Sequence, residues 1–376
     1  MICARCIYDD QIPYVSFDAE GICNYCRQHE QLDREYPTGA EGRKALGALA
    51  DRIRAAGRQK PYDVVIGVSG GCDSSYLCHL AKEELGLRPL AAHFDNTWNS
   101  KIAVENIQNV LGKLGIDLFT HVVDNREFCD LVRSFFRASV PEIDTPSDIG
   151  LATTHYLAAR KFGIRYIFEG HSFRSEGISP PGWFYMDGRY IESVHDEFGT
   201  TRLKTFPNLT LLRWLKWVCI DRIKKVRPLY YVDYDKEKVK TLLQEQYGWQ
   251  WYGGHHMENR TAQFTNNYYL PRKFGIDLRY CELSALVRAG RMKREKALEE
   301  VRTPKTCDPS IVEEIIKRLG LGNGEFDRLM LLPRKSYRDY QTYKRTFERL
   351  RWFFWVATKM DLVPRSFYLK FTRKYD

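Results

Sequence analysis

Six consecutive residues, Ser69-Gly70-Gly71-Cys72-Asp73-Ser74, combine small side chains with a carboxylate and two hydroxyls directly after an apolar run. Set between a buried strand and a helix, such a loop lets backbone N–H groups approach an anion while the helix N-terminus adds partial positive charge. The shape suits a pyrophosphate. The Gly-Lys-Ser/Thr ending of a Walker A loop is missing, which disfavours a phosphoryl-transferring ATPase.

A second chemical cluster lies at the start of the chain, where Cys3, Cys6, Cys23 and Cys26 form two Cys-x-x-Cys pairs. Each pair can turn two thiolates toward one ion, and two such knuckles complete a closed tetrahedral four-sulfur shell. A structural zinc ribbon is the expected outcome, ahead of two disulfides or a redox pair. Ten cysteines in 376 residues is not the density of a disulfide scaffold, and the other six read as reduced thiols.

Three later stretches are rich in function-capable side chains: Glu169-Gly170-His171-Ser172-Phe173-Arg174-Ser175-Glu176-Gly177, Tyr252-Gly253-Gly254-His255-His256-Met257-Glu258-Asn259-Arg260, and Leu270-Pro271-Arg272-Lys273-Phe274-Gly275-Ile276-Asp277. Loops this dense in ionisable groups rarely serve packing alone. Adjacent histidines such as His255 and His256 chelate one ion poorly, so a metal there is the weaker reading.

The elements that must position these residues follow from periodicity. A helical, charged connector over about 28–60 precedes the apolar strand 62–68. Helix 74–86, strand 89–94, helix 100–114, strand 119–123, helix 148–162 and strand 165–169 then alternate. That alternation predicts an α/β fold with a doubly wound parallel sheet and ligands at the carboxyl ends of its strands, after Val68, Phe94 and Phe168. Beyond about residue 205 long helical, aromatic and basic stretches are broken at Pro228, Gly253-Gly254, Pro271, Pro304 and Pro333. The expected domains are a zinc ribbon with the start of the connector (1–40), a nucleotide-binding α/β domain (41–230) and a mostly helical substrate or partner region (231–376).

The net charge of +10 belongs to one place: residues 328–376 hold 13 Lys/Arg against 4 Asp/Glu, a surplus of +9. The remainder is close to neutral, which argues against a nucleic-acid-binding face. The first twenty residues lack an apolar signal segment and no run approaches bilayer length, so a cytoplasmic location is expected. The aromatic-basic stretch from Arg349 to Trp355 and the amphipathic stretch Leu209–Val226 invite a membrane-surface reading; core packing with a solvated basic face is favoured for both.

Ser-Gly-Gly-x-Asp-Ser resembles the PP-loop of the ATP pyrophosphatase superfamily, in which Cys72 fills a variable position. The resemblance implies that Ser69, Gly70, Gly71, Ser74 and Ser75 grip pyrophosphate, with Gly170 near the nucleotide, and that Asp73 helps to hold Mg²⁺. Asp95, just past the second strand, is placed to contact adenosine. The ribbon, the loop and the three later stretches together look like the N-acetyl sugar amidotransferases of lipopolysaccharide O-antigen synthesis, up to about residue 305. That family implies ATP-dependent conversion of an acetamido group on a UDP-linked N-acetylated hexuronic acid to an acetamidino group, through an O-adenylyl imidate. Catalytic roles are expected for Asp73, His171, Arg174 and Lys273. His171 would orient the acetamido oxygen or take a proton from ammonia, while Lys273 or Arg174 would stabilise charge at the α-phosphate. His255, His256, Glu258, Asn259 and Arg260 are expected to bind substrate, Arg260 through its carboxylate or diphosphate.

The chain carries no glutaminase signature. Family members depend on a glutaminase pair resembling the histidine-pathway HisH and HisF proteins, so a physical partner delivering ammonia is implied. The rival reading is a tRNA-thiolating PP-loop enzyme, which would need a reactive cysteine beside the nucleotide; Cys129, Cys219, Cys281 and Cys307 are the candidates. A non-enzymatic zinc-ribbon module leaves the loop unexplained.

Overall fold

The apolar run ahead of the glycine loop is a central strand, β1 (Val64–Gly67), and its alternation decides how the molecule is layered. Val64 and Ile66 pack with Leu46, Leu49 and Ile53 and with Leu77, Ile107 and Val110 on one face. Val65 packs with Tyr156, Ala158 and Ala159 on the other. The computed structural model describes residues 1–254, 257–322, 324–360 and 362–374.

β2 (Pro89–Asp95), β3 (Leu118–Val122), β4 (Tyr166–Phe168) and β5 (Lys224–Val226) complete a parallel sheet of order β3-β2-β1-β4-β5. Val64 lies opposite Pro89, and Val65 opposite Ile167. The order reverses at β1, with β2 on one side and β4 on the other, so a crevice opens at the strands' carboxyl ends. The doubly wound fold is as the alternation predicts.

The connector is two helices, α1 (Asn24–Glu35) and α2 (Gly39–Gly57), because Pro37 cannot continue the first. α3 (Cys72–His79) starts on the glycine loop and α4 (Lys101–Leu114) follows β2, capped by the Ser100 hydroxyl accepting from Ala103 N. α5 (Asn125–Arg137) occupies a segment to which the alternation assigned nothing; Asp124 caps it by accepting from the N–H groups of Arg126 and Glu127. α6 (Thr145–Lys161) covers the Val65 face, and α7 (Gly188–Phe198) packs on α5.

The stretch 209–226 departs from the amphipathic expectation. Only Leu211–Leu215 is α-helical (α8), a π turn follows, and Lys224 and Lys225 belong to β5. Lys225 and Arg227 are not a solvated basic end: they hold Glu169 at 2.8 and 3.0 Å.

The later helices join the same cores. α9 (Lys236–Tyr247) lays Val239 and Leu243 against the Val64 face. α10 (Arg260–Phe264) runs into a π segment, Thr265–Phe274, followed by α11 (Arg279–Arg288), α12 (Arg294–Arg302), α13 (Pro309–Leu319) and α14 (Glu325–Leu331). α15 (Lys344–Arg349), α16 (Arg351–Lys359) and α17 (Arg365–Phe371) bury Phe347 and Phe354 on the Val65 face, and Phe367 stacks on Trp214 at 4.6 Å. Trp352 and Trp355 remain 69% and 51% exposed, so α16 has both a core face and a solvent face. Among the described residues no helix is long and apolar enough to cross a membrane.

Candidate active site

The glycine loop leaves β1 at Val68 and enters α3 at Cys72, and its path demands glycine. Gly70 holds φ at +80°, and a Cβ there would meet the Ala103 carbonyl oxygen at 2.2 Å. The Gly70 carbonyl accepts from Trp249 Nε1 at 3.0 Å and from Asn106 Nδ2 at 3.2 Å, which fixes the loop from the α9 and α4 sides. Ser69 N donates to Ser74 Oγ at 3.4 Å, Ser74 Oγ to the Gly71 carbonyl at 3.1 Å, and Gly71 N to Ser69 Oγ at 3.3 Å. The buried Ser75 donates its N–H to the Gly71 carbonyl.

Two later residues face this loop. Tyr252 accepts from Cys72 N at 3.3 Å, and Ser69 Oγ donates to Glu258 Oε1 at 3.4 Å. On the far side Asp73 accepts from the Tyr234 hydroxyl and meets Lys236 Nζ at 3.5 Å. Burial pushes the Tyr252 hydroxyl up, and the charges of Glu258 and Asp73 add to the effect. Mg²⁺ bound with phosphates takes one or two carboxylates plus water. Asp73 and Glu258 are the carboxylates that border the phosphate loop, one on each side of it.

A Cβ added at Gly170 would meet Asp73 Cβ at 3.5 Å, and His171 follows it, its Nδ1 3.1 Å from the Tyr230 hydroxyl. Burial holds the His171 imidazole down at about 4, with the Arg227 charge adding to the effect, so the ring is neutral at pH 7. Asp73, Gly170 and His171 therefore share one side of the loop. Arg174 is turned away from it: its guanidinium donates to Asp33 at 2.8 Å and to the carbonyls of Tyr230 and Tyr36 at 2.7 Å, tying this segment to α1.

On the other side a cavity of about 470 Å³ opens beside Ser69 and Val68. Glu258 and Asn259 form one wall, held by antiparallel contact with the β2–α4 loop: Ser100 N donates to the Glu258 carbonyl and Arg260 N to the Trp98 carbonyl. Asn259 caps α10 with its side-chain oxygen and reaches Asn96 and Asn99 with its Nδ2 at 3.2 and 3.3 Å. Lys273 and Arg260 do not line this space. Lys273 is buried, donates to the Leu329 carbonyl and is pulled down to about 8 by burial; Arg260 Nε lies 3.5 Å from Glu314. Asp95 spends a carboxylate oxygen on Thr97 N at 2.9 Å. His255 and His256 lie outside the described residues.

The periodicity reading passed over three groups in this cavity. His93 sits in an otherwise apolar strand, with Nδ1 2.8 Å from the Val68 carbonyl and Nε2 3.1 Å from the Asn99 amide, so the proton belongs on Nδ1. A histidine two residues from the end of a buried strand was the available signal. Glu142 accepts from Tyr185 N at 3.2 Å and the Tyr190 hydroxyl at 3.1 Å, and burial pushes its carboxyl up to about 8. Its signal was the acid-rich run from Glu142 to Asp148, which leads into the first turn of α6. Lys370, from α17, had none.

The four N-terminal sulfurs lie within 4.8 Å of one another, with Cys3–Cys26, Cys6–Cys23 and Cys23–Cys26 separations of 3.8, 3.7 and 3.6 Å. Zinc–sulfur bonds of about 2.3 Å in a tetrahedron put sulfurs about 3.8 Å apart, so the cluster fits zinc. Backbone N–H groups of Arg5, Cys6 and Cys23 point at Cys3 Sγ, and Arg288 donates to Cys26 and Cys6 at 3.3 and 3.1 Å. Those donors offset the negative charge of four thiolates.

Residues 258–353 match the family model described as "LPS biosynthesis protein WbpG-like, C-terminal domain". This segment resembles a WbpG-like C-terminal domain. Its first residues, Glu258 and Asn259, form the cavity wall that touches the phosphate loop. Over 328 residues, 85% of this chain and 99% of the relative, the chain is 24% identical to an uncharacterized protein of Methanocaldococcus jannaschii, MJ1599. It is 29% identical over 134 residues to the glutamine-dependent NAD(+) synthetase of Thermotoga maritima, covering 34% of this chain and 23% of that protein. Among solved structures, an NH3-dependent NAD synthetase from Campylobacter jejuni shares 13% identity with a TM-score of 0.32, over 76% of this chain and 96% of that one. The U34-tRNA thiolase NcsA of Methanococcus maripaludis shares 13% with a TM-score of 0.31, over 86% and 89%. The loop sequence and its strand-to-helix setting are those of a PP-loop fold, and the segment that follows it in space is similar to the WbpG-like domain.

Proposed function

We propose that the protein is an ATP-dependent amidotransferase acting on the acetamido group of a UDP-linked N-acetylated hexuronic acid, in lipopolysaccharide O-antigen synthesis. One observation carries the reading: the WbpG-like segment begins at Glu258, whose carboxylate accepts from Ser69 Oγ, so family-matched residues border the phosphate loop.

The amide oxygen attacks the α-phosphorus and pyrophosphate leaves, held by the loop's N–H groups and hydroxyls at Ser69, Gly70, Gly71, Ser74 and Ser75 and by the N-terminus of α3. When Mg²⁺ is bound, Asp73 and Glu258 would hold it, and it would offset phosphate charge during that attack. Ammonia then adds to the imidate carbon and loses a proton. The carbon–oxygen bond breaks, and AMP departs with the former amide oxygen. His171, neutral beside Asp73, orients the acyl group or takes that proton. Arg174 and Lys273 enter as positioning residues, and Asp95 as the adenosine contact. A HisH-like glutaminase with a HisF-like protein supplies the ammonia. Zinc at Cys3, Cys6, Cys23 and Cys26 is structural.

A thiolation reading is weakened by the cysteines: none lines the cavity among the described residues, and burial pushes the Cys72 thiol up to about 12. The test is incubation of the purified chain with MgATP, ammonium and UDP-N-acetylated hexuronic acids, following AMP and the mass of the sugar nucleotide. Stoichiometric AMP with exchange of O for NH supports the amidotransferase. No reaction with any such sugar, but AMP release with unmodified tRNA and a sulfur donor, overturns it.

A further inference from the structure

The inner face of α16 is taken up by the core, and its outer face carries side chains that the core leaves out. Phe354 and Ala357 are buried with Trp214, Trp217 and Phe347. On the opposite stripe Trp352, then Trp355 and Val356, then Lys359 and Met360 fall one helical turn apart and are exposed. The neighbouring element repeats the arrangement. Trp214, Trp217 and Val218 go inward, where Trp214 lies 6.2 Å from Phe354, while Leu212, Lys216 and Ile220 are exposed at four-residue spacing along α8 and its π turn. Single apolar side chains scattered over a surface are ordinary, but two tryptophans, a valine and a methionine on one stripe make a contiguous patch, and such a patch marks a contact.

Charge around the patch is mostly of one sign. Residues 344–374 hold nine Lys/Arg against Glu348 and Asp361, and Lys344 pairs with Glu348 at 3.3 Å. α15, joined to α16 by Leu350 alone, exposes Arg345 and Arg349, and Lys359 Nζ sits 5.7 Å from the centre of the Trp355 ring. This mixing of cations into the apolar stripe favours a lipid surface over a protein. Protein interfaces deplete lysine and keep charge out of their apolar centre. At a bilayer surface, lysine and arginine beside tryptophan lay their stems along apolar groups and send their charge outward to phosphates.

We propose that the outer face of α16, with the exposed side chains of α8 and its π turn, docks on a bilayer surface carrying anionic phospholipid. Trp352 and Trp355 enter the headgroup zone, and Arg345, Arg349, Lys216 and Lys359 meet the lipid phosphates. The two contributions act together: the cations bring the face to the surface in a salt-sensitive way, and burial of the indole rings holds it there. None of these side chains lines the cavity beside the phosphate loop, so the surface is independent of the sugar chemistry proposed for that cavity.

The test is sedimentation of the full chain with vesicles of phosphatidylcholine alone and of phosphatidylcholine mixed with phosphatidylglycerol. The expected result is preference for the mixed vesicles by about tenfold or more, weakening as salt is raised. Trp352→Ser combined with Trp355→Ser lowers affinity for the mixed vesicles by about tenfold while thermal unfolding stays that of the wild type, since both rings lie outside the core. Arg345→Gln, Arg349→Gln and Lys359→Gln together abolish the preference for anionic lipid. Should the double tryptophan variant fail to fold, Trp352→Ser alone, at the more exposed of the two, takes its place. A wild type that stays in the supernatant with both vesicles overturns the proposal and leaves the face to a protein partner. A folded tryptophan variant that binds mixed vesicles as the wild type does also overturns it, because the attraction is then the diffuse pull of a basic chain and not docking by this face.

Discussion

Gly70 is the residue at which sequence and backbone leave least freedom. Its positive φ and the 2.2 Å approach of Ala103 O mean that Gly70→Ala strains the loop and displaces α4. Loss of about 1–3 kcal/mol is expected from the backbone conformation alone, with ATP affinity falling at the same time, read by thermal unfolding with and without MgATP. Glu258→Gln is expected to leave the fold intact and to raise the Mg²⁺ concentration needed for AMP formation, because one of two carboxylates at the loop loses its charge; unchanged Mg²⁺ dependence would remove Glu258 from the metal site. Glu142 gives a pH signature. Its folded value, pushed up to about 8, lies above that of a free glutamate, so its stabilisation is complete below about 4.3 and is lost as pH rises through 8. Urea unfolding of wild type and Glu142→Gln at pH 5, 7 and 9 should show wild type losing stability relative to the variant as pH rises. The loop residues were legible because a run of small side chains after a strand has few other uses; Glu142 and Lys370 were not, since only folding brings positions 142 and 370 to one wall.

At the scale of elements, β1 to β4 announced themselves by β-branched and aromatic runs bounded by turns, while β5 did not. Three residues, two of them lysines, carry no strand signal, and what makes Lys225 and Arg227 tolerable beside the sheet is Glu169 at the end of β4. Their mutual charges hold the Glu169 carboxyl below the usual carboxylate range despite its burial, and hold Lys225 and Arg227 up. Glu169→Gln leaves two cations facing each other and is expected to cost about 2 kcal/mol or more in chemical denaturation. Adding Lys225→Met should recover part of the loss; strictly additive effects would mean that the pair is not coupled. α5 went unread for a different reason: its cap, Asp124, follows β3 so closely that the strand signal overlaps the helix start.

At the scale of the whole molecule, the ribbon is bound to the far end of the chain. Tyr8 donates to Cys281 Sγ and to the Ile178 carbonyl at 3.1 Å, Arg288 reaches the sulfur cluster, and Arg294 holds the carbonyls of Cys3 and Cys6. Metal analysis should find one zinc per chain, and its removal by a chelator should increase hydrogen exchange not only over residues 1–35 but also over α11 and α12. Exchange confined to the ribbon would show that this contact carries no stability. The cysteine spacing made the ribbon readable, but nothing local in residues 281–294 marks them as its dock. The long separation also has a meaning in time. A ribosome adding roughly 5–20 residues per second needs roughly a quarter of a minute to a minute to pass from Cys26 to Arg294. Through that interval the ribbon, Tyr8 included, has no docking surface, so capture of the metal ion is what keeps the nascent N-terminus folded until its partner helices are made.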